Sequence, residues 1–200
     1  MMPERLAVME EEIRAKLPTL PETDHSDWLT MLVSLIRFRK RVLDDGFLGR
    51  EAVRLESEFR QQVEWFLEAD ASVGARLDKG GLVGGGILDL ALGNIPLELK
   101  VESSRPVTPA NAYQYLGQPT QYGSAIDTPL SILCILDASP KGLPAGVHSD
   151  YLGLIQPKLH GLEDPRYPSL VAYVIVHANF PTPSTFSEMP KRPRRKSKAT

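Results

Sequence analysis

The chain of 200 residues is 42% hydrophobic and 24% charged, an ordinary composition for a soluble globular domain, and it is long enough to bury a core. Its formal net charge of −2 is uneven: six basic groups and one acidic group give residues 181–200 a charge of +5, so residues 1–180 carry −7. The negative charge of residues 1–180 argues against a protein that binds nucleic acid through an overall positive charge. The lack of an apolar run of transmembrane length argues against a membrane protein.

Cysteine use and the first residues bear on the cellular compartment. Cys134 is the single cysteine, so no disulfide framework can form within one chain. Its apolar neighbours, Ile132–Leu136, predict that it is a buried small hydrophobic residue. The N-terminal sequence MMPERLAVMEEE is too acidic for a signal peptide. We therefore expect a cytoplasmic protein.

Three helices are predicted before residue 70. The first covers residues 4–17, where apolar residues recur on one stripe before two prolines. The second begins near Asp24–Ser26, which offer N-cap oxygens, and ends at Asp45 before Gly46. The third covers Arg50–Ala69. Its predicted apolar arc consists of Ala52, Leu55, Phe59, Val63, Phe66 and Leu67.

One carboxylate of the third helix falls inside this apolar arc. Glu56 lies on the core-facing stripe by its spacing, and a buried carboxylate needs a partner because an unpaired charge is costly to desolvate. The alternative is a partly exposed glutamate that pairs with Arg60, one turn further along. The spacing favours neither arrangement.

The segment Gly84–Glu102, with the sequence GGGILDLALGNIPLELKVE, predicts a β-hairpin. Its apolar runs Ile87–Leu92 and Ile95–Val101 are joined by Gly93-Asn94, residues that tolerate the positive φ of a tight turn. The segment therefore supplies two adjacent antiparallel strands.

Three charged residues, Asp89, Glu98 and Lys100, interrupt this aliphatic hairpin. Glu98 and Lys100 are two residues apart, so they share a face of their strand. With Asp89 opposite them, two carboxylates and an ammonium group meet, and a divalent cation such as Mg²⁺ would remove the carboxylate repulsion. The alternative is a structural Glu98–Lys100 pair with Asp89 facing solvent on an edge strand.

A helix and three strands are predicted after the hairpin. The helix lies within Tyr113–Ala125, with Pro119 near its start or at a kink. The continuous apolar run Leu130–Asp137 predicts a central strand, and Leu170–His177 predicts another. A further strand is expected at Tyr151–Gln156.

These residues resemble a known pattern. Asp89, eight intervening residues and Glu98-Leu99-Lys100 resemble the D…ExK signature of the PD-(D/E)XK nuclease superfamily, with Leu88 where the proline of the name usually stands. Gln118 and Tyr122 are similar to the Q-x-x-x-Y element of its exonuclease and resolvase branch. The resemblance covers roughly residues 50–177. It implies an α/β, restriction-endonuclease-like core in which a mixed β-sheet is flanked by helices.

The resemblance also implies an activity and a metal site. It implies a nuclease that hydrolyses DNA phosphodiester bonds with Mg²⁺, for which Mn²⁺ would substitute. Asp89, Glu98 and the Leu99 carbonyl would hold the metal. Glu56 is the candidate for a further ligand from the preceding helix, with Glu58 and Glu64 as substitutes.

The remaining implied roles concern water and substrate. Lys100 would position or activate the attacking water, and Gln118 and Tyr122 would orient water or substrate. The alternative function is a catalytically silent nuclease-fold binding or scaffold protein in a nucleic-acid-processing or defence complex. DNA is the expected partner, and a homodimer or a place in a larger complex fits the same features.

The chain is expected to divide into three parts. These are an N-terminal helical extension at residues 1–49, a nuclease-like core at 50–180, and a disordered, basic, proline-rich tail at 181–200. The tail either solubilises the protein or binds nucleic-acid phosphates without sequence preference. The basic residues that would do so are Lys191, Arg192, Arg194, Arg195 and Lys196.

Overall fold

The computed structural model of the chain describes residues 2–46, 55–83, 85–142, 150–158 and 169–180. Within these described residues, three α-helices precede the first strand. They are α1 (Met2–Lys16), α2 (Glu22–Asp45) and α3 (Glu56–Glu68). Two short helices follow the strands of the hairpin region. They are α4 (Pro109–Ala112) and α5 (Gly117–Ala125).

Eight strands are described. They are β1 (Leu77–Asp78), β2 (Gly81–Val83), β3 (Gly86–Leu88), β4 (Leu90–Leu92), β5 (Ile95–Glu102), β6 (Leu130–Asp137), β7 (Leu152–Ile155) and β8 (Leu170–His177). Six of them form one sheet in the order β1-β4-β5-β6-β8-β7, while β2 and β3 form a separate two-stranded ribbon. The β5, β6 and β8 strands are parallel neighbours, and the other pairs are antiparallel, so the six-stranded sheet is mixed.

The centre of the sheet is buried on both faces. Every residue of β6 and β8 is buried, as their continuous apolar sequences predict for strands covered by helices. The predicted strands Leu130–Asp137 and Leu170–His177 are confirmed. Cys134 lies in the middle of β6 with no exposed surface, and burial raises the pKa of its thiol, so it is the buried small residue that was expected.

Helices cover both faces of the sheet. Side chains from α1, α2 and α3, including Ile13, Trp28 and Phe59, share one hydrophobic cluster with alternate residues of the strands. The opposite face packs against the region of α4 and α5 through Ala112 and Leu116. The expected α/β class, with a mixed sheet flanked by helices, is therefore confirmed, and α1 and α2 share their core with the strands.

The third helix begins later than its periodicity predicts. Leu55 has an extended backbone, with φ −104° and ψ 140°, and α3 begins at Glu56. Leu55 is 60% exposed, so its place in the predicted apolar arc is wrong, whereas Phe59, Val63 and Leu67 are buried. Arg50 to Arg54 lie outside the described residues.

The helix predicted within Tyr113–Ala125 is also divided. Tyr113–Tyr115 form a 3₁₀ turn, and α5 begins at Gly117. Pro119 consequently lies in the first turn of α5, where its missing N–H leaves no intrahelical hydrogen bond unmade.

The first strand of the predicted hairpin is broken at Asp89. Leu90–Leu92 pair with β5, but Gly86–Leu88 pair with β2 in the ribbon, so Ile87–Leu92 is not one strand. The Gly93-Asn94 turn is confirmed, since Leu92 pairs with Ile95 and Gly93 has φ 59°. No helix in the described part of the chain combines the length and apolar content needed to cross a membrane.

We expect Gly93→Ala to destabilise the hairpin by about 2–3 kcal/mol, because the new Cβ would be strained at φ 59° and would overlap the Asp27 carboxylate. Gly46→Ala is the matched control, since Gly46 has the same φ and no atom of the described residues lies within 4 Å of a Cβ placed there. It should cost about 1 kcal/mol. Urea unfolding of both variants measures the difference, and equal losses would contradict the predicted overlap.

Candidate metal centre

The break at Asp89 places its carboxylate against the free edge of β5. The β4–β5 pairing ends at Leu90 and Leu97, and continuing its register would place Asp89 opposite Glu98. The Leu99 N–H, which lacks a strand partner on that side, donates to Asp89 Oδ2 at 2.9 Å. The Asp89 carboxylate thus accepts the hydrogen bond that a backbone carbonyl would accept if β4 continued. The buried Leu99 amide is satisfied in this way.

Glu98 and Lys100 project from the same face of β5, as their spacing predicts. Glu98 is only 2% exposed, and Lys100 Nζ donates to Glu98 Oε1 at 2.7 Å. The structural Glu98–Lys100 pair named as the alternative is therefore present. Its other half is wrong, because the Asp89 side chain is largely buried rather than facing solvent.

The start of α3 brings a third carboxylate to this group. Lys100 Nζ also donates to Glu56 Oε1 at 3.1 Å and Oε2 at 3.2 Å. The Glu56 side chain is 46% exposed, so its expected place on a core-facing stripe is wrong. Its partner is Lys100, from another part of the chain.

One oxygen from each of Glu56, Asp89 and Glu98 lies within 4.8 Å of the others. We call these three residues the carboxylate cluster. In addition, Glu98 Oε2 is buried and has no hydrogen-bond partner among the described residues, which leaves this carboxylate oxygen unsatisfied there. Three oxygen donors, one of them unsatisfied, suit a hard cation such as Mg²⁺ or Mn²⁺.

Burial sets the electrostatics of the cluster. Desolvation raises the pKa of Glu98 to about 7, although the hydrogen bond from Lys100 opposes the shift. Desolvation also raises the pKa of Asp89, against the opposing effect of the Leu99 N–H. Desolvation lowers the pKa of Lys100, but its contacts with Glu98 and Glu56 outweigh this, so its pKa lies above the usual value. Lys100 therefore carries its positive charge at neutral pH.

Tyr122 lies beside the cluster, and Gln118 lies further out. The Tyr122 hydroxyl donates to the Ile87 carbonyl at 3.0 Å, which ties α5 to the ribbon just before Asp89. Gly86 permits this approach, because a Cβ there would lie 2.6 Å from the hydroxyl oxygen. Desolvation and the Glu98 charge raise the pKa of Tyr122, and a hydrogen bond from Gln118 partly offsets them. The Gln118 residue itself is exposed.

The substitute glutamates lie outside the cluster. Glu58 Oε2 accepts the Leu55 N–H at 3.2 Å, so this side chain turns back to the start of α3. Glu64 pairs with Lys79 at 3.0 Å. The basic residues proposed for nucleic-acid binding, Lys191, Arg192, Arg194, Arg195 and Lys196, lie outside the described residues.

Arg60 adjoins the cluster, and the sequence indicated it only as a local partner of Glu56. Its Nη1 lies 3.9 Å from Asp89 Oδ1, while Glu56 pairs with Lys100 instead. No sequence spacing predicts this contact, because it depends on how α3 packs beside the hairpin.

Comparisons of this chain with protein-family models, curated proteins and solved structures give no match. The resemblance to the PD-(D/E)XK superfamily consequently rests on its motif residues, which are Asp89, Glu98, Lys100, Gln118 and Tyr122.

The raised pKa of Glu98 makes stability depend on pH in the absence of divalent cations. Between its ordinary value of 4.5 and its folded value of about 7, the folded state binds the extra proton, so stability falls as pH rises and then levels off. We expect wild type to lose about 3 kcal/mol at most, relative to Glu98→Gln, between pH 5 and pH 8.

Urea unfolding in EDTA at the two pH values measures this loss. Glu12→Gln is the matched control, since Glu12 is an exposed helix glutamate paired with Lys16. The free energy of unfolding of this control variant should change with pH as that of wild type does. If Glu98→Gln also follows wild type, the buried carboxyl does not have the raised pKa.

Proposed function

We propose that this protein is a metal-dependent nuclease of the PD-(D/E)XK type that hydrolyses DNA phosphodiester bonds, with Mg²⁺ as cofactor and Mn²⁺ able to substitute. The observation that carries the proposal is the convergence of Glu56, Asp89 and Glu98 within 4.8 Å, with the Lys100 ammonium 2.7 Å from Glu98. The residue before β4, the strand β5 and the start of α3 supply these groups, on a mixed sheet flanked by helices.

The carboxylate cluster would hold the cation, together with the Leu99 carbonyl. Because the N–H and C=O of one strand residue point the same way, that carbonyl faces the same open edge as the N–H bonded to Asp89. When bound, the cation would supply Lewis-acid polarisation of a phosphate oxygen and lower the pKa of a water molecule.

Lys100 acts as a donor in this proposal rather than as a base. Since its pKa lies above the usual value, the ammonium keeps its proton at neutral pH. It can therefore position the attacking water, or donate to a phosphate oxygen on which negative charge develops. Glu56, half of whose side chain is exposed, can accept a hydrogen bond from the same water.

The elements around the site fit the proposed architecture. The order α3, β4, β5, α5, β6 is helix, hairpin, helix and strand, and α5 carries Tyr122 beside Glu98 and Asp89. Tyr122 holds the ribbon at Ile87, and Gln118 supports the phenol. In the proposal these two residues position the end of the ribbon that leads into Asp89, and through it they orient the substrate.

A binding or scaffold protein with the same fold is the second candidate. The observation that favours it is that Lys100 bonds to both Glu56 and Glu98, so its ammonium partly neutralises the carboxylate cluster without a metal ion. A silent site of this kind would bind no divalent metal and would cut no substrate.

In this proposal the protein is cytoplasmic and binds DNA. The basic residues of the tail would add salt-sensitive affinity for phosphates. Cutting both strands of a duplex favours a homodimer or a larger complex, since each copy supplies one cluster.

We expect Mg²⁺- or Mn²⁺-dependent cleavage of linear, circular or single-stranded DNA, abolished by EDTA. Lys100→Ala should lower the rate about 100-fold or more, because it removes a donor aimed at the developing charge. Lys16→Ala is the matched control, since Lys16 forms an exposed pair with Glu12 on α1 and should cleave at the wild-type rate.

Gel analysis of the products with time measures these rates. A folded wild-type protein that neither cuts these substrates nor binds a divalent cation would overturn the nuclease proposal and support the scaffold. Equal cleavage by Lys100→Ala and wild type would show that this cluster is not the site.

A further inference from the structure

Arg60 lies one helical turn after Glu56 on α3, so the two side chains share a face of the helix. Its side chain is 29% exposed, which leaves the guanidinium within reach of a ligand at the cluster. It also passes close to Gly80 at the base of the ribbon: a Cβ on Gly80 would lie 3.0 Å from Arg60 Nη2. The guanidinium therefore lies between the helix and the ribbon, beside Asp89.

The contact with Asp89 does not use the hydrogen-bonding capacity of Arg60. The 3.9 Å separation from Asp89 Oδ1 is too long for a hydrogen bond, and Asp89 Oδ2 already accepts the Leu99 N–H. Among the described residues, no hydrogen bond from Arg60 occurs. Arg76 differs, since it donates a short hydrogen bond to Asp27. Arg60 thus has five N–H donors available at the border of the cluster.

The net charge of the site indicates that these donors suit an anionic ligand. With all three carboxylates ionised, the cluster, Lys100 and Arg60 together carry −1. A bound divalent cation changes this to +1, which matches the single negative charge of one phosphodiester. Without Arg60 the cation-loaded site would be neutral and would attract the phosphate less.

We propose that Arg60 binds the phosphate of the substrate, as a forked donor to its non-bridging oxygens. The guanidinium suits this task because its planar fork matches a phosphate group with two parallel hydrogen bonds. This inference rests on the proposed nuclease function and deepens it: the substrate phosphate lies between Arg60 and Lys100, over the carboxylate cluster. The competing role is structural, in which Arg60 only orients Asp89.

The test compares Arg60→Ala and Arg60→Lys with wild type. Arg41→Ala is the matched control, because Arg41 also pairs loosely with an aspartate, Asp45, on an exposed helix surface. The probe is a fluorescein-labelled DNA duplex with Ca²⁺, an oxygen-seeking cation that loads the site. Anisotropy gives the affinity, Mn²⁺ titration gives metal binding, and thermal melting reports folding.

We expect Arg60→Ala to weaken Ca²⁺-dependent DNA binding about tenfold or more, the loss of one bidentate phosphate contact. Arg60→Lys should recover part of it, and Arg41→Ala should bind like wild type. Mn²⁺ affinity should be unchanged or tighter in Arg60→Ala, because a positive charge near the ligands is removed. In cleavage assays the loss should include a higher KM, which Lys100→Ala need not show.

Other outcomes overturn the inference in distinguishable ways. If Arg60→Ala weakens Mn²⁺ binding but leaves the DNA affinity of the Ca²⁺-loaded protein unchanged, Arg60 is a positioning residue for Asp89. If wild type cuts DNA and Arg60→Ala binds and cuts equally well, this inference fails while the nuclease function stands. If wild type shows cation-dependent DNA binding lost in Arg60→Ala but no cleavage, the inference stands and the nuclease function fails. If wild type shows no cation-dependent DNA binding, this inference fails, and the nuclease function fails with it when the protein also neither cuts DNA nor binds a divalent cation.

Discussion

The hydrogen bond from the Leu99 N–H to the Asp89 carboxylate is the contact on which the arrangement of the site depends. It lets the β4–β5 ladder end at Leu90 without leaving a buried amide unpaired. The chain then turns into the ribbon, and the edge of β5 beyond Leu97 stays open beside Glu98 and Lys100. A longer β4 strand would pair with this edge, so among the described residues β5 lacks a strand partner on this side beyond Leu97 because a side-chain acceptor replaces a backbone acceptor.

Burying charge at this edge gives the cluster its chemical character. Glu98 is nearly inaccessible, and desolvation raises its pKa to about 7, which shows how poorly the site tolerates an extra negative charge on its own. Lys100 offsets part of this cost by contacting Glu56 and Glu98 together. Glu98 Oε2 has no hydrogen-bond partner within the part of the chain that the structure describes. A cation at the cluster would satisfy that oxygen.

Local periodicity predicts some parts of this site and not others. The two-residue spacing suffices to place Glu98 and Lys100 on one face of β5, the Gly93-Asn94 residues suffice for the turn, and the apolar runs suffice for β6 and β8. That Asp89 lies against Leu99 depends on the break in the strand, which the spacing does not predict. Glu56 reaches the cluster for a different reason from the one its helical spacing indicated: α3 begins at Glu56, so this residue is half exposed at a helix start. The ribbon and the position of Arg60 depend on tertiary packing, through Tyr122 and Gly80, which a single sequence does not encode by spacing.

The most direct measurement of the central claim is an anomalous-scattering map from a crystal of the protein soaked in Mn²⁺. We expect one peak among Glu56, Asp89 and Glu98, about 2.0–2.3 Å from their oxygens, with the Lys100 ammonium displaced from at least one carboxylate. A map with no peak at saturating Mn²⁺, and with Lys100 still bonded to both Glu56 and Glu98, would contradict the account. It would leave the cluster as a structural ion-pair network.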